Sequence, residues 1–410
     1  MTAGQPLKRL SGKLGLSAVV YAVGLTSLLL ADILVTNHFS PNTIADWATF
    51  RSLVGIAAIL PLVGLDQVLI RSPQSSERLL RIIAAQGPLL AATVGIGMYM
   101  AGFVSQWWIG TGLAIGSFLS LALFQYFRSH HIPLLSQLSQ QTWKIAALVA
   151  LIWIAWTGVE ANIFLIGVSL LLLANAIGLG ALLWWPPKRH HDQTPEPFFT
   201  LYAIGLRFMA TSLLLALSVY AEQLVVNQLG STQEAALYFT AATYFLFPAG
   251  FLNGYAAFLI GPWIRDNRAR FLASLKRHRT RIVFGILFYA LILSGIGWAA
   301  WALTTPSVGD IDHGLQALFT LSVMARTAYV IPSGYIGVFG KPRQHDVLIW
   351  AQIAALGLAA LLLFALWSLG VGTVYAVALA SALNWALRAG LSFGVMAMIA
   401  RSHGGSDVQR

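Results

Sequence analysis

Cysteine is absent from this chain, which excludes disulfides and thiolate metal sites. Charge is scarce as well. Only 10% of the 410 residues are charged, against roughly 25% in a soluble domain. Acidic residues are the scarcer kind, 14 against 25 basic. The chain lacks a phosphate-cradling glycine loop, a dinucleotide fingerprint and a nucleophile elbow. The pairs His130-His131 and His190-His191 have no companions at metal-ligand spacing and read as solvated. No catalytic residue, resident cofactor or metal site is therefore expected.

What is present is apolar. Hydrophobic residues make up 58% of the chain and mean hydropathy is +0.74, a composition that excludes a soluble globular domain. The net charge of +11 would point to nucleic acid in a soluble protein. Here it follows from the excess of Lys and Arg in cytoplasmic loops of membrane proteins, so no nucleic-acid partner is expected. The run from Leu14 to about Thr36 is membrane-length, longer than the apolar region of a secretory signal, and reads as a retained first helix.

Twelve apolar segments predict twelve membrane-spanning helices, roughly 14–36, 45–70, 79–103, 107–127, 138–157, 162–185, 199–227, 235–262, 281–303, 314–338, 347–369 and 371–400. Helices are expected because hydrocarbon offers backbone groups no outside partner. The loops 37–44, 104–106, 158–161, 228–234, 304–313 and 370 contain no Lys or Arg, whereas the intervening loops carry Lys8, Arg71, Lys188, the cluster Arg265 to Arg281, and Lys341. That alternation places both termini in the cytoplasm. Trp107, Trp108, Trp184, Trp185, Trp263 and Trp301 fall near span ends as interfacial anchors. The run Lys276–Arg281 is expected to touch anionic membrane lipids.

The polar stretch Pro186-Pro-Lys-Arg-His-His-Asp-Gln-Thr-Pro-Glu-Pro197 divides the spans six and six. It predicts an N-terminal bundle over 1–186, a cytoplasmic linker over 187–198 and a C-terminal bundle over 199–410. Thr26-Ser-Leu-Leu-Leu-Ala31 recurs as Thr211-Ser-Leu-Leu-Leu-Ala216, and Pro61 in span 2 answers Pro248 in span 8. Six spans per half give both halves one orientation, the parallel repeat of several transporter folds. Pro61, Pro248 and Pro332 lie inside spans and are expected to kink them.

Polar side chains form stripes. Offsets of 4, 8, 11 and 15 residues keep Arg207, Thr211, Leu215, Ser218 and Glu222 within about 80° of one helix face. Ser381, Asn384, Arg388 and Ser392 share an arc in span 12, Arg51, Gly55 and Asp66 one in span 2, and Tyr21, Asp32 and Thr36 one in span 1. A charge at mid-membrane costs roughly 2.5–3.5 kcal/mol on the mildest scale, and arginine keeps its proton. Arg51, Arg207, Arg326, Arg388 and Asn384 are therefore candidate contacts for an anionic substrate. Two readings stay open for Arg51 and Arg207: substrate contact, or pairing with Asp32, Asp66 or Glu222. Arg326 and Arg388 have no carboxylate in their own spans, so for them the cavity role is favoured. Asp32, Asp66 and Glu222 are candidates for binding a coupling proton or sodium ion.

The stretch Ala45–Arg71, with Gly64-Leu65 followed by Arg71 at the inner end, resembles the second helix of Wzx-like polysaccharide flippases of the MOP exporter superfamily. Glu222–Phe239 and Gly261-Pro-Trp263 resemble the same family. The resemblance implies an all-α, MATE-like integral membrane protein with two six-helix bundles around a cationic cavity. It further implies a bacterial inner-membrane protein that moves undecaprenyl-pyrophosphate-linked oligosaccharide to the periplasmic leaflet for O-antigen or exopolysaccharide assembly. Its partners would be that glycan lipid, the polysaccharide polymerase and the chain-length machinery. A drug or metabolite antiporter of the same superfamily is the alternative. A membrane-embedded polymerase or glycosyltransferase is the remoter one, because the longest outer loop, 304–313, offers only Asp310, Asp312 and His313 for chemistry.

Overall fold

The computed structural model describes residues 5–71, 75–184 and 197–404; most of the predicted 187–198 linker lies outside them. Every regular element among these residues is a helix. In chain order they are α1 (Gln5–His38), α2 (Pro41–Ala57), α3 (Ile59–Leu62), α4 (Leu65–Arg71), α5 (Ser76–Met100), α6 (Trp107–Ser129), α7 (Pro133–Thr157) and α8 (Ile163–Trp184). There follow α9 (Phe198–Leu229), α10 (Thr232–Phe245), α11 (Phe247–Asp266), α12 (Arg268–Arg277), α13 (Arg279–Thr304), α14 (His313–Phe339), α15 (Pro342–Ser368) and α16 (Thr373–Gly404). Among the described residues, and with α2 and α3 taken together, eleven helices are long and apolar enough to cross a membrane, or twelve with α10 and α11 counted as one span bent by 44°. This is the multi-pass architecture the hydropathy predicts.

Proline places the breaks. It has no N–H and its ring collides with the carbonyl four residues earlier. For Pro61 that residue is Ala57, where α2 ends. Below the break, Val63 (φ 50) and Gly64 (φ 70) both adopt left-handed backbone before α4 resumes. For Pro248 the residue is Tyr244, beside the end of α10 at Phe245. The second span of each sequence half is thus broken at the expected proline. Pro332, by contrast, lies within a continuous α14.

Packing divides the chain into two compact units. Unit 1 comprises residues 1–35 and 46–220, and unit 2 comprises 36–45 and 221–410. The division falls inside α9, between Tyr220 and Ala221, not in the polar linker. In unit 1, α6 packs against α5, α7 and α8. Its Gly110 meets the backbone of Gly95 on α5, a separation too small for a Cβ. In unit 2, α14 packs against α11, α13 and α16, and α15 against α16. The amphipathic α12 rests Phe271, Leu272 and Leu275 on a core that includes Ile264, Tyr335, Ile336 and Ile399.

Trp107, Trp108, Trp184 and Trp263 are exposed at helix ends, as interfacial anchors are. Trp301 is not. It is buried, packs on Tyr244 and Phe245, and donates from Nε1 to the Gly309 carbonyl at 3.1 Å. Trp185 lies outside the described residues.

Candidate functional site

Each unit buries a charge centre of its own. In unit 1, α1 carries Asp32, fully excluded from solvent. Trp47 and Arg51 lie one helical turn apart on α2 and so reach the same point. Trp47 Nε1 donates to Asp32 Oδ1 at 2.8 Å, and Arg51 Nη1 is ion-paired with Asp32 Oδ2. Only a tenth of the Arg51 side chain is exposed. Of the two readings open for Arg51, internal pairing with Asp32 is the one found.

One further in-span cation of unit 1 is absent from the sequence-derived candidates. Lys144 on α7 is partly buried, donates from Nζ to Gln141 Oε1 at 2.7 Å, and lies within electrostatic reach of Arg51. Its signal in the sequence is a basic residue in an apolar run, at i+3 from Gln141 and i+7 from Gln137.

Asp66, at the start of α4, is buried and accepts from Gln67 Nε2 at 2.9 Å. It lines a cavity of about 260 Å³ within unit 1, together with Gly55, Gln67, Met209, Ser212 and Tyr220. The helix break makes that cavity. Gly64 lies so close to the Gly205 carbonyl of α9 that a Cβ would collide with the oxygen. Arg207 belongs to the same unit, is partly buried, and its carbonyl accepts from Thr211 Oγ1 at 3.0 Å.

In unit 2 the hub is Glu222 on α9. Its Oε1 accepts from Arg326 Nη2 at 2.7 Å and from Ser381 Oγ at 2.6 Å, and its Oε2 accepts from the Tyr238 hydroxyl at 2.8 Å. Arg326, with no carboxylate in its own span and the cavity role favoured for it, is ion-paired with Glu222 across 104 residues of sequence. Its Nε also donates to Ser322 Oγ, one turn earlier on α14, and its guanidinium lies 4.7 Å from the Trp385 ring centroid.

The predicted stripe of α16 is buried along its length: Ser381, Asn384, Arg388 and Ser392 are each at most 5% exposed. The Arg388 guanidinium, fully buried, sits 5.3 Å from the Tyr329 ring and 5.4 Å from that of Trp385. Asn384 Oδ1, Ser392 Oγ and Gln352 Oε1 are buried without hydrogen-bond partners.

Asp32 and Glu222, as candidates for a coupling cation, are occupied by arginine in this conformation. Asp66 has no ion pair among the described residues. No cluster of His, Asp and Glu able to hold a metal occurs among those residues.

No family model matches the chain, and no curated protein matches it. Solved structures do. The MATE multidrug transporter DinF-BH aligns with TM-score 0.61 at 16% identity over 96% of each chain. An inward-facing multidrug-resistance MATE transporter of the MOP superfamily aligns with TM-score 0.58 at 14% identity, over 94% of this chain and 98% of that one. A MOP-superfamily transporter from Pyrococcus furiosus, described as having a binding pocket of reverse polarity that suggests a different function, aligns with TM-score 0.58 at 12% identity over 95% of each chain. The fold is that of MATE transporters.

Proposed function

We propose that the protein is a transporter of the MOP superfamily that moves undecaprenyl-pyrophosphate-linked oligosaccharide from the cytoplasmic to the periplasmic leaflet of a bacterial inner membrane by alternating access. One observation carries the anionic cargo. Away from the helix ends, Arg51, Lys144, Arg207, Arg326 and Arg388 outnumber Asp32 and Glu222, and adding the exposed Asp46 near the start of α2 and Asp66 in α4 still leaves five against four. Buried cation in excess of carboxylate is costly in a membrane and becomes favourable once an anion enters. Pyrophosphate suits guanidinium donors in bidentate geometry. The headgroup hydroxyls, expensive to strip of water, would travel through a polar interior while the lipid tail stays in the bilayer. With the cell interior negative, outward movement of an anion gains about 2.3 kcal/mol per charge per 100 mV.

The described outer loops are short, with Asp312 capping a helix through Leu315 N–H, which favours transport over polymerisation. A second reading, efflux of an organic cation in exchange for protons or sodium, draws on the multidrug transporters that share the fold and on the Asp66 cavity. Cells lacking the protein separate the two. Flippase loss accumulates lipid-linked repeat units on the cytoplasmic leaflet and leaves tolerance of cationic drugs unchanged. Drug sensitivity with normal surface polysaccharide would establish the antiporter instead.

A further inference from the structure

The two arginines nearest the carboxylates are already engaged. Asp32 holds Arg51 and Glu222 holds Arg326. Lys144 differs. Its hydrogen bond goes to a neutral amide, and no carboxylate pairs with it among the described residues. An ammonium has three donors; besides the bond to Gln141, Lys144 Nζ lies 6.0 Å from the centroid of the Trp143 ring, and it has no second hydrogen-bond acceptor among the described residues.

The surroundings of Lys144 are built rather than incidental. Gln137, Gln141 and Lys144 recur at helical spacing along one face of α7. Gln141 Nε2 donates to Gln137 Oε1 at 3.3 Å, and Gln141 Oε1 receives Lys144. Gln141 is fully buried, and Gly24 of α1 lies against its side chain, where a Cβ would come within 2.5 Å. Trp143 next to Lys144 packs edge-on against Phe50 of α2, which fixes α7 beside the helix that carries Arg51. Of the neighbouring helices, α8 carries no charged residue and α6 only Arg128, in its last turn. Asp32 is the carboxylate of this centre and is held by Arg51 and Trp47. The local balance is two cations to one anion.

We infer that Lys144, anchored by the buried Gln141, forms an oxyanion-binding subsite in unit 1 for a phosphate or pyrophosphate group, with the partly exposed Gln137 one turn further along the same face for an adjacent sugar hydroxyl. Arg51 contributes positive potential there but not the contact. This rests on the anionic-cargo reading and names the residue of unit 1 that meets the cargo.

A structural cation and a ligand-binding cation behave oppositely on removal. Neutralising a paired charge leaves its partner buried alone and destabilises. Neutralising Lys144 strands no carboxylate and relieves repulsion with Arg51, so the ligand-free protein keeps or gains thermal stability. The experiment is thermal unfolding of the full-length protein in detergent, titrated with inorganic pyrophosphate and, separately, with a polyprenyl pyrophosphate, using chloride as the control anion. Expected is a rise in Tm with pyrophosphate for wild type, a half-saturating concentration within about threefold for K144R, and one at least about tenfold higher for K144M, whose ligand-free Tm is equal or higher. A response to both ligands places the subsite on pyrophosphate itself, and a response only to the polyprenyl form places it on a lipid headgroup. Wild type and K144M responding alike would overturn the subsite while leaving the anionic cargo standing. A wild type unresponsive to either pyrophosphate would overturn both.

Discussion

Asp32 and Arg51 are worth more as a pair than either is alone. Asp32→Asn or Arg51→Gln leaves one buried charge uncompensated and is expected to cost about 3–5 kcal/mol, while the double variant costs less than the sum. Thermal unfolding of the three variants in detergent measures this, and additive losses would show that the pair is not coupled. Outside the membrane, Asp312 caps α14 at Leu315 N–H and accepts the Tyr375 hydroxyl. Burial pushes its carboxyl up. The hydrogen bonds from Tyr375, Leu315 and Gly314, with the nearby His313, outweigh that and hold it below the ordinary carboxylate range. The linked stability is present above the unfolded value of about 3.9 and is lost as pH falls through the lower folded value. Tyr375→Phe is therefore expected to lower Tm at neutral pH, with the gap to wild type closing below about pH 4; a gap independent of pH would refute this. The charged residues themselves are legible in the sequence, because an arginine inside an apolar run stands out against its neighbours. Their partners are legible only in part: Asp32 is among the carboxylates the sequence offers Arg51, but none is offered for Arg326. Glu222 and Arg326 meet across α9 and α14, and helical periodicity within one segment carries no information on which faces oppose each other. Lys144 is harder to read because it lies six residues into the run 138–157, where a lysine normally snorkels to the interface.

Helices follow from hydropathy and proline chemistry. Span number and the two broken second spans are readable, since run length and a missing N–H are local properties. The depth of the α2–α4 break is not. It depends on Gly64 meeting Gly205 of α9, a contact between distant segments. Gly64→Ala must force a side chain into left-handed backbone and into the Gly205 carbonyl, at an expected cost of about 2–4 kcal/mol. Gly285→Ala in mid-α13 meets nothing within 4 Å and is expected to gain about 0.5–1 kcal/mol. Equal effects at the two glycines, read by thermal unfolding, would contradict the close approach. The polar linker, read as the boundary between halves, marks where the chain is hydrophilic. The units divide instead within α9, whose Arg207 belongs to unit 1 and whose Glu222 belongs to unit 2.

At the scale of the molecule, fold and cargo separate. Architecture shared with multidrug transporters is compatible with cargo of either sign, so the choice rests on the charges inside the spans. Each unit places a further cation beside its buried ion pair: Lys144 beside Asp32–Arg51, and Arg388, which shares the Trp385 ring with Arg326, beside Glu222–Arg326. The most direct test is transport in proteoliposomes of two polyprenyl-linked saccharides that differ only in the linker, one carrying pyrophosphate and one uncharged. The account predicts movement of the pyrophosphate form, faster when the destination side is positive, and little movement of the neutral form. Equal rates for the two lipids, or efflux of a cationic dye with neither lipid moved, would contradict it.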